Sequence, residues 1–259
     1  MSEPILDIRH VSRIYQDDET EVRALSDINL EITKGEFVSI IGTSGCGKTT
    51  LLRLIAGLDW PEEGTLTLHG EEITGPDPRR GYVFQQGSLF PWLTVEQNIG
   101  AGLRARHVYQ RDRRKIPEYI AMTGLNGFEQ VFPHQISGGM AQRVAIARVL
   151  INQPEVVLMD EPMGALDSFT RADLQEKILE IREKTGTTMV LVTHDVDEAI
   201  YLSDRIVVMT PRPGRISEII EVPMRHPRQR NSGDFTRIRK KLLEEFHLAS
   251  EQKMPEYTI

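Results

Sequence analysis

Eight residues, Gly42-Thr43-Ser44-Gly45-Cys46-Gly47-Lys48-Thr49, fit the spacing G-x-x-x-x-G-K-[ST]. The residue types suit phosphate. Glycines let backbone N–H groups turn inward around an anion, and a helix starting there adds unpaired N–H groups and a partial positive charge. The spacing puts Lys48 at the β- and γ-phosphates of a nucleotide and Thr49 on Mg²⁺, with Thr50 carrying the loop into the helix. The plain alternative is a chance glycine turn. A second group is Val156-Val157-Leu158-Met159-Asp160-Glu161, an apolar run ending in two carboxylates. Asp160 at such a strand end can hold Mg²⁺ through water, and Glu161 beside it can act as general base on an attacking water. Read alone, the same residues also suit a strand followed by an acidic helix start. A third group is Ser137-Gly138-Gly139 ahead of an apolar helical stretch. It offers a hydroxyl, bare backbone N–H groups and a helix dipole to a second anion, or is an ordinary N-capped helix.

These groups need a scaffold, and the flanking patterns supply one. Glu36-Phe37-Val38-Ser39-Ile40-Ile41 reads as a buried strand before the glycine loop, and Thr50–Ala56 reads as a helix after it. Runs at Ile5–Val11, Leu25–Ile32 and Gly64–Gly70 alternate like half-buried strands and predict an antiparallel layer. Residues 88–150 are mostly helical in pattern, with breaks at Pro91, Pro117, Gly124, Gly127 and Pro133. Strands at Val156–Met159 and Thr188–Val192 alternate with helices at Ser168–Lys184 and after Asp195, so the sheet is expected to be mostly parallel and covered on both faces. Arg205–Met209 and Arg215–Val222 read as late strands. Phe235, Ile238, Leu242 and Phe246 form one helical stripe near the end. The expected fold is α/β: a P-loop NTPase core with a mostly parallel sheet, a flanking antiparallel β layer and an inserted α-helical subdomain.

The chain has 259 residues, 39% hydrophobic and 27% charged, which is ordinary for a globular protein. No apolar stretch approaches the ~20 residues of a membrane-spanning helix. The first residues lack a signal-peptide pattern, and the single cysteine, Cys46, excludes an intrachain disulfide. These features predict a cytosolic chain. The net charge of −7 disfavours nucleic acid as a partner. Two basic stretches stand against it, with six Lys or Arg in Arg104–Lys115 and seven in Arg225–Lys241. Each is either a patch for anionic lipid or an acidic partner, or a solvated helix face.

Taken together, the motifs resemble the ATP-binding cassette ATPases, the motor subunits of membrane transporters. The likeness runs from Ile5 to Met209. Ile136-Ser137-Gly138-Gly139-Met140 looks like the family's signature motif, with Ile136 and Met140 replacing its usual leucine and glutamine. By this resemblance Tyr15 stacks on adenine. Gln85, with Gln86 as the competing choice, senses Mg²⁺ and the γ-phosphate. Ala165-Leu166-Asp167 crosses a dimer interface. His194, 33 residues after Glu161, contacts the γ-phosphate. The resemblance implies a head-to-tail pair, with ATP bound at Lys48 of one chain and closed by Ser137 and Gly139 of a second copy or a closely related chain. It also implies separate transmembrane permease subunits, an indirect link to a solute-binding protein, and a peripheral place on the cytoplasmic face of the inner membrane.

The resemblance further implies a single cassette domain over 1–259, with a helical subdomain at 88–150 and a short C-terminal extension at 210–259. The run from Phe84 through Pro91-Trp92 to Val95, the pair Gln142-Arg143 and the stretch Arg212-Pro213-Gly214-Arg215-Ile216 resemble the nitrate, sulfonate, taurine and bicarbonate importers. An exporter or lipid-transporter motor, or a cassette protein outside transport, is the alternative. The position of Cys46 at a helix start beside Lys48 predicts an activated thiol whose alkylation blocks the nucleotide.

Overall fold

The computed structural model describes residues 4–17, 20–85 and 88–251. In chain order, β1 (Leu6–Asp17), β2 (Thr20–Ile32) and β3 (Phe37–Gly42) lead into α1 (Lys48–Ala56). Then come β4 (Glu63–Leu68), β5 (Glu71–Glu72), β6 (Arg80–Val83), α2 (Val95–Ile99), α3 (Ala101–Ala105), α4 (Tyr109–Asp112) and α5 (Ile116–Met122). The rest is α6 (Gly138–Leu150), β7 (Val156–Asp160), α7 (Ser168–Thr185), β8 (Thr188–Thr193), α8 (Val196–Leu202), β9 (Arg205–Met209), β10 (Ile216–Glu221) and α9 (Gly233–Glu251). The chain makes two compact units, Met1–Pro76 with Val190–Ile259, and Asp77–Met189.

The first unit holds the predicted antiparallel layer, in the order β2-β1-β4-β5. Leu6 and Ile8 lie opposite Ile32 and Leu30 on one side and Leu68 and Leu66 on the other. All six are buried, so alternation along three strands builds one apolar face. The same unit carries β10, β9, β3 and the end of β8 from Val190 on, in that order. β3 runs parallel to β9, with Gly42 opposite Met209. Every residue of β3 is buried, which is why its sequence is a continuous apolar run rather than an alternating one. Its one hydroxyl, Ser39, is satisfied by the Ser203 hydroxyl. α8 packs on β3, and α9 packs on α8. Phe235, Ile238 and Leu242 are buried, as the stripe predicts.

The second unit pairs β6 and β7 in parallel, Arg80 opposite Val156 and Val83 opposite Met159. β7 is buried throughout. Val144, Ala147 and Leu150 of α6 and Leu174, Ile178 and Ile181 of α7 are buried, narrow stripes at helical spacing.

In the stretch 225–241 the basic side chains have different surroundings. Arg228 is 6% exposed, and its guanidinium donates to the carbonyls of Ile200 at 2.6 Å, Ser203 at 2.6 Å and Met224 at 3.0 Å. It satisfies the carbonyls that the end of α8 leaves open. Arg230 lies over the Tyr201 ring, Arg237 pairs with Asp234, Arg239 with Asp197 and Lys241 with Glu218. Of the seven, Arg228 is the buried one, and the ion pairs of Arg237, Arg239 and Lys241 lie at the surface. In the other basic stretch, Arg104 lies over Tyr109, and Arg111 and Lys115 pair with Asp112.

Candidate functional site

The phosphate loop sits in the first unit, between the end of β3 and α1. Gly45 and Gly47 have φ of 75° and 104°, in the left-handed region. A Cβ on Gly47 would stand 2.6 Å from Leu25 Cδ2 and 2.9 Å from the Ala24 carbonyl, so only glycine closes this turn. Lys48 is 6% exposed, and its ammonium donates to the carbonyls of Gly42 at 2.9 Å and Thr43 at 3.1 Å. The lysine is folded across its own loop. Ser44, Gly45 and Thr49 are exposed, and Thr43 and Thr50 are half-buried.

Tyr15 stands beside this loop. Its hydroxyl donates to Asp59 at 2.8 Å and reaches Thr50 Oγ1 at 3.4 Å. Arg13 lies over its ring at 4.6 Å, and the residue is 37% exposed. It is therefore an exposed hairpin aromatic tied to the loop helix, not a core residue. His194, also exposed, follows β8. The Asp195 N–H donates to Thr193 Oγ1 at 3.1 Å, and the Asp195 carboxylate caps α8 by accepting from the Glu198 N–H at 3.1 Å.

Cys46 lies on the protein side of the loop. Its side chain is 1% exposed, and a Cβ on Gly42 would stand 2.6 Å from its sulfur. The thiol fills the space behind the loop. The thiol is shielded from solvent in this arrangement.

In the second unit, β7 ends at Asp160, which is 7% exposed and accepts a hydrogen bond from the Tyr82 hydroxyl at 3.0 Å. The chain then turns at Glu161, whose φ of 43° is unusual for a side-chain-bearing residue and re-aims its carboxylate. The Gln85 amide nitrogen lies 3.4 Å from Glu161 Oε2. Gln86 lies outside the described residues.

Ser137 caps α6, its hydroxyl accepting from the Met140 N–H at 3.2 Å, and Ser137 and Gly138 are exposed. Gly139 is buried, and a Cβ there would stand 2.1 Å from Thr170 Cγ2. Asp167 caps α7, and hydrogen bonds from the Thr170 hydroxyl and backbone hold its carboxyl below the usual carboxylate range. Lys48, Tyr15 and His194 thus belong to the first unit, and Asp160, Glu161, Gln85, Ser137 and Asp167 to the second.

With this geometry in view, the comparisons decide the family. Residues 25–164 match the family described as ABC transporter. The chain is 52% identical over 239 residues to an aliphatic sulfonates import ATP-binding protein, SsuB, of a Bacillus cereus strain, covering 92% of this chain and 94% of that one. The chain belongs to the ABC transporter family. It is 49% identical over 232 residues to a nitrate import ATP-binding protein, NrtC, of a Synechocystis strain, covering 88% of this chain and 35% of that one. Among solved structures, it resembles the dimeric ATP-binding cassette MJ0796 in a post-hydrolysis state with ADP and Pi. The TM-score is 0.74 at 34% identity, over 85% of this chain and 100% of that one. The cassette is an ATP-hydrolysing enzyme with the P-loop α/β fold.

The resemblance singles out Arg212–Ile216 and Gln142, and the structure adds what their side chains and backbone touch. Arg212 Nε donates to the Gly45 carbonyl at 3.2 Å, and a Cβ on Gly214 would stand 2.0 Å from the Cys46 carbonyl. The Arg212–Ile216 stretch therefore buttresses the phosphate loop. Gln142 is buried in α6 and donates to the Phe84 carbonyl at 3.2 Å, one residue before Gln85. Fully buried Asn98 accepts from the Phe90 N–H at 2.8 Å and donates to the Phe90, Leu93 and Thr94 carbonyls, pinning the turn that carries Trp92. Asn98 escapes a reading of the sequence, because a polar side chain that bonds to backbone leaves no periodic trace.

Proposed function

We propose that this cassette is the motor of an importer, turning ATP hydrolysis into movement of separate permease subunits. The carrying observation is the buried Lys48 held across a left-handed glycine turn, a cation built into an anion cradle. The names of the relatives support import, and a small oxyanion such as a sulfonate or nitrate as the solute class. No helix among the described residues is long and apolar enough to cross a membrane, so the reading needs separate permease chains at the cytoplasmic face of the membrane. A solute-binding protein would act one step further out, and nucleic acid has no part.

In this reading Lys48 and the loop N–H groups hold the β- and γ-phosphates, and Tyr15 offers its ring to adenine. Glu161 takes the proton of the attacking water, Gln85 orients beside it, and His194 contacts the γ-phosphate. Thr49, Gln85 and Asp160 would hold Mg²⁺. All three are oxygen donors, which suits that ion, and no cluster of three or more His, Cys, Asp or Glu among the described residues binds a metal unaided. When bound with the nucleotide, Mg²⁺ supplies charge neutralisation at the phosphates.

The second chain of the pair would close each site with Ser137, Gly138 and Gly139, near its Asp167 loop. The permease would dock by a short segment at Phe90 and Trp92, which are 40% and 69% exposed. The adjoining groove of about 470 Å³ is lined by Tyr82, Phe84, Phe90 and Arg148 among others. Glu161→Gln should keep ATP binding and lower turnover by about 10²-fold or more, the usual weight of a general base. Near-normal hydrolysis by that variant, measured as phosphate release, would remove Glu161 from the role.

A further inference from the structure

Tyr82 touches two of these places at once. Its hydroxyl donates to Asp160 Oδ2 at 3.0 Å. Its ring lines the groove and packs against the Phe84 ring, with centroids 4.6 Å apart. Phe84 is 46% exposed in the same groove wall. Backbone pairing fixes the reach, since Tyr82 lies opposite Leu158 and Val83 opposite Met159, one residue before Asp160. The two aromatic side chains thus connect the surface that a permease segment would press on with the carboxylate that would hold the metal.

We propose that Tyr82 is a positioning residue. It orients the Asp160 carboxylate for the divalent cation, and its ring, braced by Phe84, makes that orientation respond to what occupies the groove. The proposal rests on the assignment of Asp160 as a metal-binding carboxylate. Physically, an ionised carboxylate has two equivalent oxygens and rotates about its last bond. A phenol donor on Oδ2 fixes the plane and directs the other oxygen's lone pairs. Partners that orient a metal-binding group in this way typically change metal affinity by about 10-fold or more when removed. The hydroxyl can only do this while the ring stays in place, and the ring is held on one side by Phe84. A neighbour inserted into the groove, or the loss of Phe84, therefore shifts the hydroxyl and with it the carboxylate.

The test is the affinity of Mn²⁺ for the ATP-bound protein, followed by electron paramagnetic resonance of free Mn²⁺, with thermal melting of the ligand-free protein as the folding control. Tyr82→Phe should weaken Mn²⁺ binding by about 10-fold. It should still melt in one cooperative step, a few degrees lower at most, as fits the loss of about one hydrogen bond, and its ATP affinity in the presence of a chelator should stay unchanged. Phe84→Ala should weaken Mn²⁺ binding by a smaller factor when Tyr82 is present and by no further factor in the Tyr82→Phe background, because the path runs through the hydroxyl. Asp160→Asn is the control that separates the two layers. If Asp160→Asn loses Mn²⁺ and Tyr82→Phe does not, Tyr82 only packs and the proposal is wrong. Additive losses for Phe84→Ala and Tyr82→Phe would overturn the link to the groove. Full Mn²⁺ affinity in Asp160→Asn would overturn the metal assignment itself.

Discussion

Cys46 stands inside a motif with its thiol turned into the protein. Its backbone helps form the phosphate loop while its sulfur is buried behind Gly42. The expected outcome is that the native protein resists N-ethylmaleimide with or without Mg-ATP, and that labelling appears only as the protein unfolds in denaturant. Stoichiometric labelling of the native form, followed by mass spectrometry, would contradict the burial. The difference from the sequence reading has a plain cause. The string around Cys46 tells that the backbone turns, but not which way a side chain points when two glycines flank it. Glu161 is the reverse case. Its type and its place after Asp160 were legible in the sequence, whereas its left-handed backbone was not, because no residue preference announces a φ of 43° at a glutamate.

At the scale of elements, continuous apolar runs gave β3, β7 and β8 with bounds within a residue or two, because strands covered on both faces need no polar alternation. The stripe of α9 was equally legible. The inward turn of Arg228 was not, since a guanidinium that serves carbonyls reads in a string as one more positive charge. Gly139 carries a double reading. As part of the signature motif it reads as a phosphate contact, and the structure adds a packing reason, the closeness of α6 to α7. A methyl on Gly139 would meet Thr170 Cγ2 at 2.1 Å. Gly139→Ala should therefore destabilise by about 1–2 kcal/mol through overpacking, despite alanine's better helix propensity. Thr170→Ser in the same chain removes that methyl, keeps the hydroxyl on Asp167 and should recover most of the loss. Urea midpoints of the four proteins check this. An unaffected Gly139→Ala single variant would mean that the helices separate at no cost.

The whole molecule puts the glycine loop and the Ser137 motif, the two groups proposed to bind phosphate, in different parts of one chain. Lys48 lies in the unit formed by Met1–Pro76 and Val190–Ile259, and Ser137 in Asp77–Met189. The division arises because the chain leaves the first unit after Pro76 and returns at Val190, a long-range pattern that local periodicity does not carry. The proposed account joins the groups between two copies, each supplying Ser137 to the other's ATP. A relative in the solved structures is described as a dimer with ADP and Pi. The most direct measurement is the mass of the Glu161→Gln protein by light scattering, with and without ATP. The account predicts a doubling of mass that requires ATP and disappears when Ser137→Arg is added to the same chain. A protein that binds ATP yet stays a monomer, while the unaltered chain hydrolyses ATP at one specific rate at every dilution, would contradict it.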